Sequence, residues 1–319
     1  MVFARNEAIS WRWERCDYVK KELLQAPQIK TKHLVNMISK NTLYKFLLLA
    51  IVLLMVTQSK SYATGGFPVR PGRLTLSPSV NYFFANKQWD SNSNKGPFPD
   101  NGKFSSLSTS LYAEYGLSRR FTLSALLPYA SNTYKDNNAT YKDSGFGDAE
   151  VGIRYYLANI NYKYYFSLQA TAIIPMYTNL SLGYNQKGGE LRLAFAGSGH
   201  LFGKNSYFIL ENGVREYFGY ESVFQDRYNA TYGLTLDKKF REQISVSFGG
   251  FYASSNNKAF SPNPVTNKNF AFNQVSLSYG HSFSKKVALF VSGGTFITGR
   301  NTSAGSSVSA SLNYHIDTK

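Results

Sequence analysis

Eight charged residues fall where successive strands of one sheet would carry them: Asp148, Glu150, Arg154, Lys163, Glu190, Arg192, Glu211 and Arg215. Asp148, Glu150, Gly152 and Arg154 have one parity and Ala149, Val151, Ile153 and Tyr155 the other. Alternate residues of a strand point to opposite faces, so the charges share a side. The remaining five, Lys163, Glu190, Arg192, Glu211 and Arg215, sit in neighbouring segments with phases that permit the same side. Charges of both signs gathered on one face have two uses: a charged constriction that selects solutes, or a salt-bridge network that fills a narrow interior. Glu150 and Arg154 stand roughly 13 Å apart at about 3.3 Å per residue. Each must therefore find its partner on a neighbouring strand, among Lys163, Arg192, Glu190 and Glu211.

Other reactive groups carry less. Beyond residue 63 the histidines are His200, His281 and His315. The run Tyr279-Gly280-His281-Ser282 sets a base beside a hydroxyl, as a lipid-modifying hydrolase would need, but adjacent strand residues face opposite ways. No His and carboxylate grouping has metal-ligand spacing, and glycine patches such as 197–199 lack the strand-to-helix context of a phosphate loop. No catalytic residue, cofactor or metal is expected, and the chain is read as a non-enzyme.

The elements that must position these charges are about twelve alternating segments: 73–85, 104–116, 120–130, 146–157, 162–175, 190–202, 206–217, 227–237, 243–254, 269–283, 286–298 and 304–316. Ten and fourteen remain open as counts. Leu74, Leu76, Val80, Tyr82 and Phe84 alternate with polar or small residues, as do Leu107, Leu111, Ala113 and Tyr115. Connections switch between long, as in Asn86 to Lys103, and short, as in Leu117-Ser118-Arg119. Ten-residue alternating strands with this rhythm define an all-β, antiparallel transmembrane β-barrel, with long loops on one side and tight turns on the other. An even strand count puts both termini in the periplasm. Phe270 and Phe272 share one phase while Val275, Leu277 and Tyr279 take the other, which predicts a bulge near Gln274. A soluble sandwich or lipocalin-like barrel also alternates, but its outer face would be charged. Here the polar face is Ser106, Ser108 and Ser110, or Ser307, Ser309 and Ser311. Such small groups suit a wet interior.

Compartment follows from the start of the chain. Met37 to Lys45 carries Lys40 and Lys45, Phe46 to Thr57 is an apolar run, and Ser61-Tyr62-Ala63 ends it with small residues at the two cleavage positions. This is a signal peptide over 37–63 with cleavage after Ala63. The run is short of the about 20 apolar residues that span a bilayer. Residues 1–36 are read as an over-extended start upstream of Met37, or as a long leader. The domain proper is 64–319. It holds no cysteine, since Cys16 lies in the discarded part, and so no disulfide scaffold or thiolate metal site. It carries 25 basic against 15 acidic residues, dispersed along the chain, with no compact basic domain for nucleic acid. Its 22 Phe and 21 Tyr are expected on the lipid face and in two interfacial girdles. Nine residues before the first strand, Thr64 to Gly72, are too few for a folded hatch but can tuck into the lumen mouth.

One stretch resembles a known family. Tyr115-Gly116-Leu117-Ser118, then Phe121, Leu123, Ala125, Leu127 and Pro128, then Gly145-Phe146-Gly147-Asp148 and Val151-Gly152-Ile153-Arg154-Tyr155 resemble the outer-membrane proteins grouped with meta-pathway phenol-degradation transporters. In that family a Y-G-L-T/S hairpin and a Pro-ended strand precede a G-x-G-D-x-x-x-G strand; Ile174-Pro175 is similar to its next Pro-ended strand. The resemblance implies an outer-membrane channel or transporter without naming a solute. On the residues themselves, Gly116 and Gly147 suit tight or bulged backbone, and Pro128 ends strand pairing. Expected partners are outer-membrane lipid, the barrel-assembly machinery and a small solute, with no nucleic acid. The competing expectation is a structural barrel with a plugged lumen whose loops, above all Asn86 to Lys103 and Ser255 to Lys268, bind something outside.

Overall fold

The computed structural model describes residues 66–237, 239 and 241–318. The leader read at 1–36, the signal peptide at 37–63 and the cleavage after Ala63 lie outside the described residues. Fourteen strands follow in order: β1 (Arg73–Trp89), β2 (Lys95–Pro97), β3 (Lys103–Gly116), β4 (Phe121–Lys135), β5 (Thr140–Phe146), β6 (Asp148–Ile160), β7 (Tyr164–Pro175), β8 (Gly188–Leu201), β9 (Lys204–Tyr217), β10 (Phe224–Thr235), β11 (Glu242–Ser254), β12 (Ala271–Ser282), β13 (Val287–Arg300) and β14 (Thr302–Asp317). Two of them, β2 and β5, are ribbons at the long-loop rim, paired to β1 and β4. The other twelve pair antiparallel with their neighbours, and β14 returns to β1 from Arg73↔Asp317 to Trp89↔Thr302. The twelve-strand wall is closed and has no free edge; among the described strands only the rim ribbons β2 and β5 keep an unpaired side.

Burial is inside-out relative to a soluble protein. Val80, Tyr82, Leu107, Leu111, Val151 and Ile153 stand outward and between 42 % and 53 % exposed. Thr122, Ser167, Gln169, Glu190 and Arg215 stand inward and buried. An apolar outer face is stable only in lipid, where every backbone group must be satisfied internally. Outward aromatics gather toward both rims: Tyr82, Phe84 and Tyr129 toward the long loops, Phe121, Tyr279 and Tyr314 toward the turns.

The short turns are built by local chemistry. Phe202 and Gly203 close β8 to β9 with φ of 51° and 71°, the mirror-image turn whose twist matches a hairpin. Ser118 Oγ accepts the backbone N–H groups of Arg120 and Phe121 at 3.2 and 3.1 Å, which turns the Tyr115-Gly116-Leu117-Ser118 stretch back on itself. Both described chain ends lie at this turn side, where Thr318 N donates to Gly72 O at 2.7 Å and Arg73 bonds Asp317 at 2.7 Å.

Four expectations need correction. The segment 131–145 is not a plain loop, because β4 runs on to Lys135 and returns as β5. Pro128 does not end its strand; it pairs with Ser110 inside β4. It marks where β4 exchanges β6 for β5 as partner: pairing to β6 stops at Leu126 and pairing to β5 starts at Tyr129. The N–H that proline lacks would point into that junction, so its loss costs no ladder bond. Gly116 and Gly147 have no positive φ. They make room instead, Gly116 beneath the Arg70 carbonyl and Gly147 against the Pro128 ring. Lastly, the irregularity near Gln274 lies across from it. Asn273 and Gln274 face Thr298 and Phe296, so the extra residue is Ile297 on β13. Phe272 keeps the inward parity of Ser276 and Ser278, and its inward position produced the apparent phase change.

Candidate functional site

The lumen has two unlike walls. One runs over β3 and β6 to β10 and is ionic. Glu190 of β8 sits at its centre with its carboxylate sealed from water: Arg192 Nη2 lies 2.5 Å from Oε1, and Arg215 Nε and Arg227 Nη1 lie 2.7 and 2.9 Å from Oε2. Arg215 also reaches Glu150 of β6 at 2.5 Å, and Arg227 approaches Glu150 to 4.0 Å. Asp148 accepts hydroxyl bonds from Tyr177 and Tyr217 at 2.8 and 2.9 Å. Nearer the turns a second group forms around Arg154, which bonds Glu114 at 2.9 Å and Gln169 at 2.9 Å, while Tyr112 donates to Glu114 at 2.6 Å. Gly152 lies between the two groups, where a Cβ would press on the Thr171 and Ser124 hydroxyls.

The charges balance within each group. Three arginines face Glu150, Glu190 and Asp148 in the first, and Arg154 faces Glu114 in the second. Buried ions are tolerable only when paired and hydrogen-bonded this fully. Asp148, Glu150, Arg154, Glu190, Arg192, Glu211 and Arg215 lie on the inward side of their strands. Lys163 is the exception, because it lies in the turn between β6 and β7 with its ammonium 5.3 Å from the Tyr164 ring. Glu211 faces the lumen but forms no ion pair among the described residues.

The pairing itself departs from expectation. Glu150 finds Arg215 three strands away, and Arg154 finds Glu114 two strands along the wall, not a neighbour. Barrel curvature makes inward side chains converge, so long Arg and Glu chains meet over strands that their backbones do not touch. Glu114 and Arg227 were missed for that reason. Their inward parity was legible in sequence, but no local spacing linked them to the eight.

The opposite wall, over β11 to β14, β1 and β3, is lined by Ser245, Ser247, Ser276, Ser278, Ser292, Ser307 and their like. These face inward and are half-buried, not sealed as Glu190 is. Hydroxyl pairs such as Ser79 with Ser110 and Ser278 with Ser292, each at 2.8 Å, stitch neighbouring strands. Toward the long loops this wall carries inward phenylalanines. Phe272 stacks on Phe296 at 4.0 Å and on Phe251 at 5.1 Å, and Phe83 bridges Phe296 to Phe104. These aromatics were expected on the lipid face; they line the lumen instead, under the loops.

Both ends of the lumen are narrowed from within. Residues 66–71 form a strap inside the turn end. Phe67 packs on Ala196, Tyr207 and Ile209, its carbonyl accepts the Tyr156 hydroxyl at 2.7 Å, and its ring meets Tyr165 at 5.7 Å. At the other end, loop 255–270 is drawn over its neighbours. Asn263 donates to Ser181 O at 3.0 Å, Tyr184 donates to Asn267 O, Ser303 donates to Pro262 O, and Lys268 and Asn257 bond Glu221.

Elsewhere, His281 turns Nδ1 toward Glu242 Oε1 at 2.6 Å. Among the described residues, no three His, Cys, Asp or Glu side chains are grouped to hold a metal.

Closure, inverted burial and a polar lumen define a transmembrane β-barrel of the outer-membrane type. In keeping with that class, the chain is similar to the COG4313 outer membrane channel from Pseudomonas putida F1, with a TM-score of 0.60, 14 % identity, and coverage of 81 % of this chain and all of that one. It also aligns with the translocator domain of the autotransporter NalP from Neisseria meningitidis at a TM-score of 0.43 and 11 % identity, covering 86 % of this chain and 95 % of that one. The second likeness is too loose to add to the fold assignment. No family model and no curated protein matches the sequence.

Proposed function

We propose that this chain is an outer-membrane channel for small solutes, with both termini on the periplasmic side and the long loops outside. The observation that carries the reading is the half-buried, unsealed hydroxyl wall over β11 to β14, β1 and β3. The ionic groups consume their own charges along one wall and leave the opposite wall to neutral side chains, serine hydroxyls with phenylalanines above them under the long loops. Such a lining offers a polar route without strong binding, as conduction requires. The reading assigns no catalytic step. The resemblance carried by Tyr115 to Tyr155 agrees with transport, and membership of the phenol-degradation grouping is part of the same proposal.

A plugged barrel with a structural or surface-binding role is the second reading. The strap at 66–71 and the loop contacts across 255–270 favour it. Single-channel recording of the purified, refolded protein in a planar bilayer decides between them. Discrete conductance steps are expected of the channel; a silent bilayer holding correctly folded barrels would establish the plug.

A further inference from the structure

The ionic wall is neutral in sum but not in what it shows the lumen. Glu190 has 0 % of its side chain exposed, Arg215 5 % and Glu150 16 %, whereas Arg192 and Arg227 have 26 % and 25 %. The carboxylates are turned inward onto guanidinium groups, and Asp148 is capped by the hydroxyls of Tyr177 and Tyr217. A solute passing the belt therefore meets the outer faces of two arginines. Their fork geometry suits a carboxylate or similar oxyanion. Arg227 also packs on an apolar surface, with its guanidinium carbon 4.6 Å from the Phe251 ring centroid, and Phe251 continues through Phe272 to Phe296. Phe251 and Phe296 are half-exposed toward the lumen.

We propose that Arg192, Arg227 and Phe251 form a solute-selecting site for small organic anions, with the oxyanion held by the two arginines and an apolar tail laid against the phenylalanine row. The proposal rests on the channel reading and names the class of solute that the channel takes. A partly water-excluded lumen with one sign of charge at its surface raises the local concentration of counter-ions. Arg215 has a different role: with both of its contacts on carboxylates, it holds Glu150 and Glu190 away from the solute.

The test is the reversal potential in a potassium chloride gradient for the wild type, the R192Q/R227Q double variant and R227K. Chloride is expected to be preferred over potassium by about tenfold in the wild type. The preference should fall to unity or below in R192Q/R227Q and persist in R227K, which keeps the charge without the guanidinium. A gel shift between unboiled and boiled samples verifies that each variant is folded; if the double variant does not fold, R192Q alone carries the comparison. In a second measurement, acetate and hexanoate are added to the chloride solution. Hexanoate should block the chloride current at lower concentration than acetate in the wild type, and F251A should abolish that difference. Conductance without anion preference, a preference unmoved by losing the arginines, or equal block by the two acids would overturn the proposal and leave the channel standing. Folded protein that never conducts would overturn the channel reading and this proposal with it.

Discussion

Glu190 is the residue on which the ionic wall depends. Its sealed carboxylate takes three guanidinium groups, and only Arg215 has a second carboxylate at close range. Glu190→Gln leaves Arg192 without an anion and Arg227 with only the distant Glu150. It is expected to lower stability by about 3 to 5 kcal/mol, as breaking one side of a buried ion pair does. Glu211→Gln faces the same lumen without an ion pair and should stay within about 0.5 kcal/mol. Urea unfolding of the two refolded variants checks both values, and equal midpoints would mean that the network contributes no stability. Parity put Glu150 and Arg154 on one face and permitted the same face for Glu190 and Arg215, because a strand has a period of two. Parity could not say that Glu114 belongs to Arg154, since that contact depends on curvature and on side-chain reach.

At the scale of elements, the strap and the drawn-over loop are the parts that should move most easily. Gly116 passes directly beneath the Arg70 carbonyl, and any Cβ there would collide with it. Gly116→Val is therefore expected to displace residues 66–71 from the turn end while sparing the barrel, and to raise conductance in bilayer recordings. Unchanged conductance would show that the strap does not limit flow. At the long-loop end, Lys268 first and Asn257 next hold the Glu221 carboxyl below its ordinary range. A carboxyl depressed in the folded state contributes stability above its unfolded pKa of about 4.3, and that contribution is lost as pH falls through the lower folded value. Amide protection in residues 255–268, with the intrinsic rate at each pH divided out, should accordingly be high at neutral pH and fall selectively in acid below about pH 4, whereas Glu221→Gln should show the low protection at every pH. The loop was legible as a polar connection rich in Asn and Ser. That it folds over its neighbours was not, because its contacts to Ser181, Glu221 and Ser303 join segments far apart in sequence.

The whole molecule owes its persistence to closure. With β14 paired to β1 and no backbone edge for lipid or detergent to satisfy, opening one seam means exposing two rows of polar groups at once. Unboiled protein in a detergent gel should run apart from boiled protein, and its circular dichroism should be that of β structure. A single band at both temperatures, or a helical spectrum, would contradict a closed barrel.

Alternation along each strand and the rhythm of long and short connections determined the class and a wall of about twelve antiparallel strands. These are one-dimensional properties: period two follows from the pleat, and connection length follows from which rim a loop serves. Tertiary structure alone decided which charges pair, that the pairs lie on one wall opposite the serines, that the phenylalanines toward the long loops line the lumen, and that the register slip lies at Ile297. Each of these depends on how far the sheet curves before it meets itself, and curvature is a property of all the strands together that no local stretch of sequence encodes.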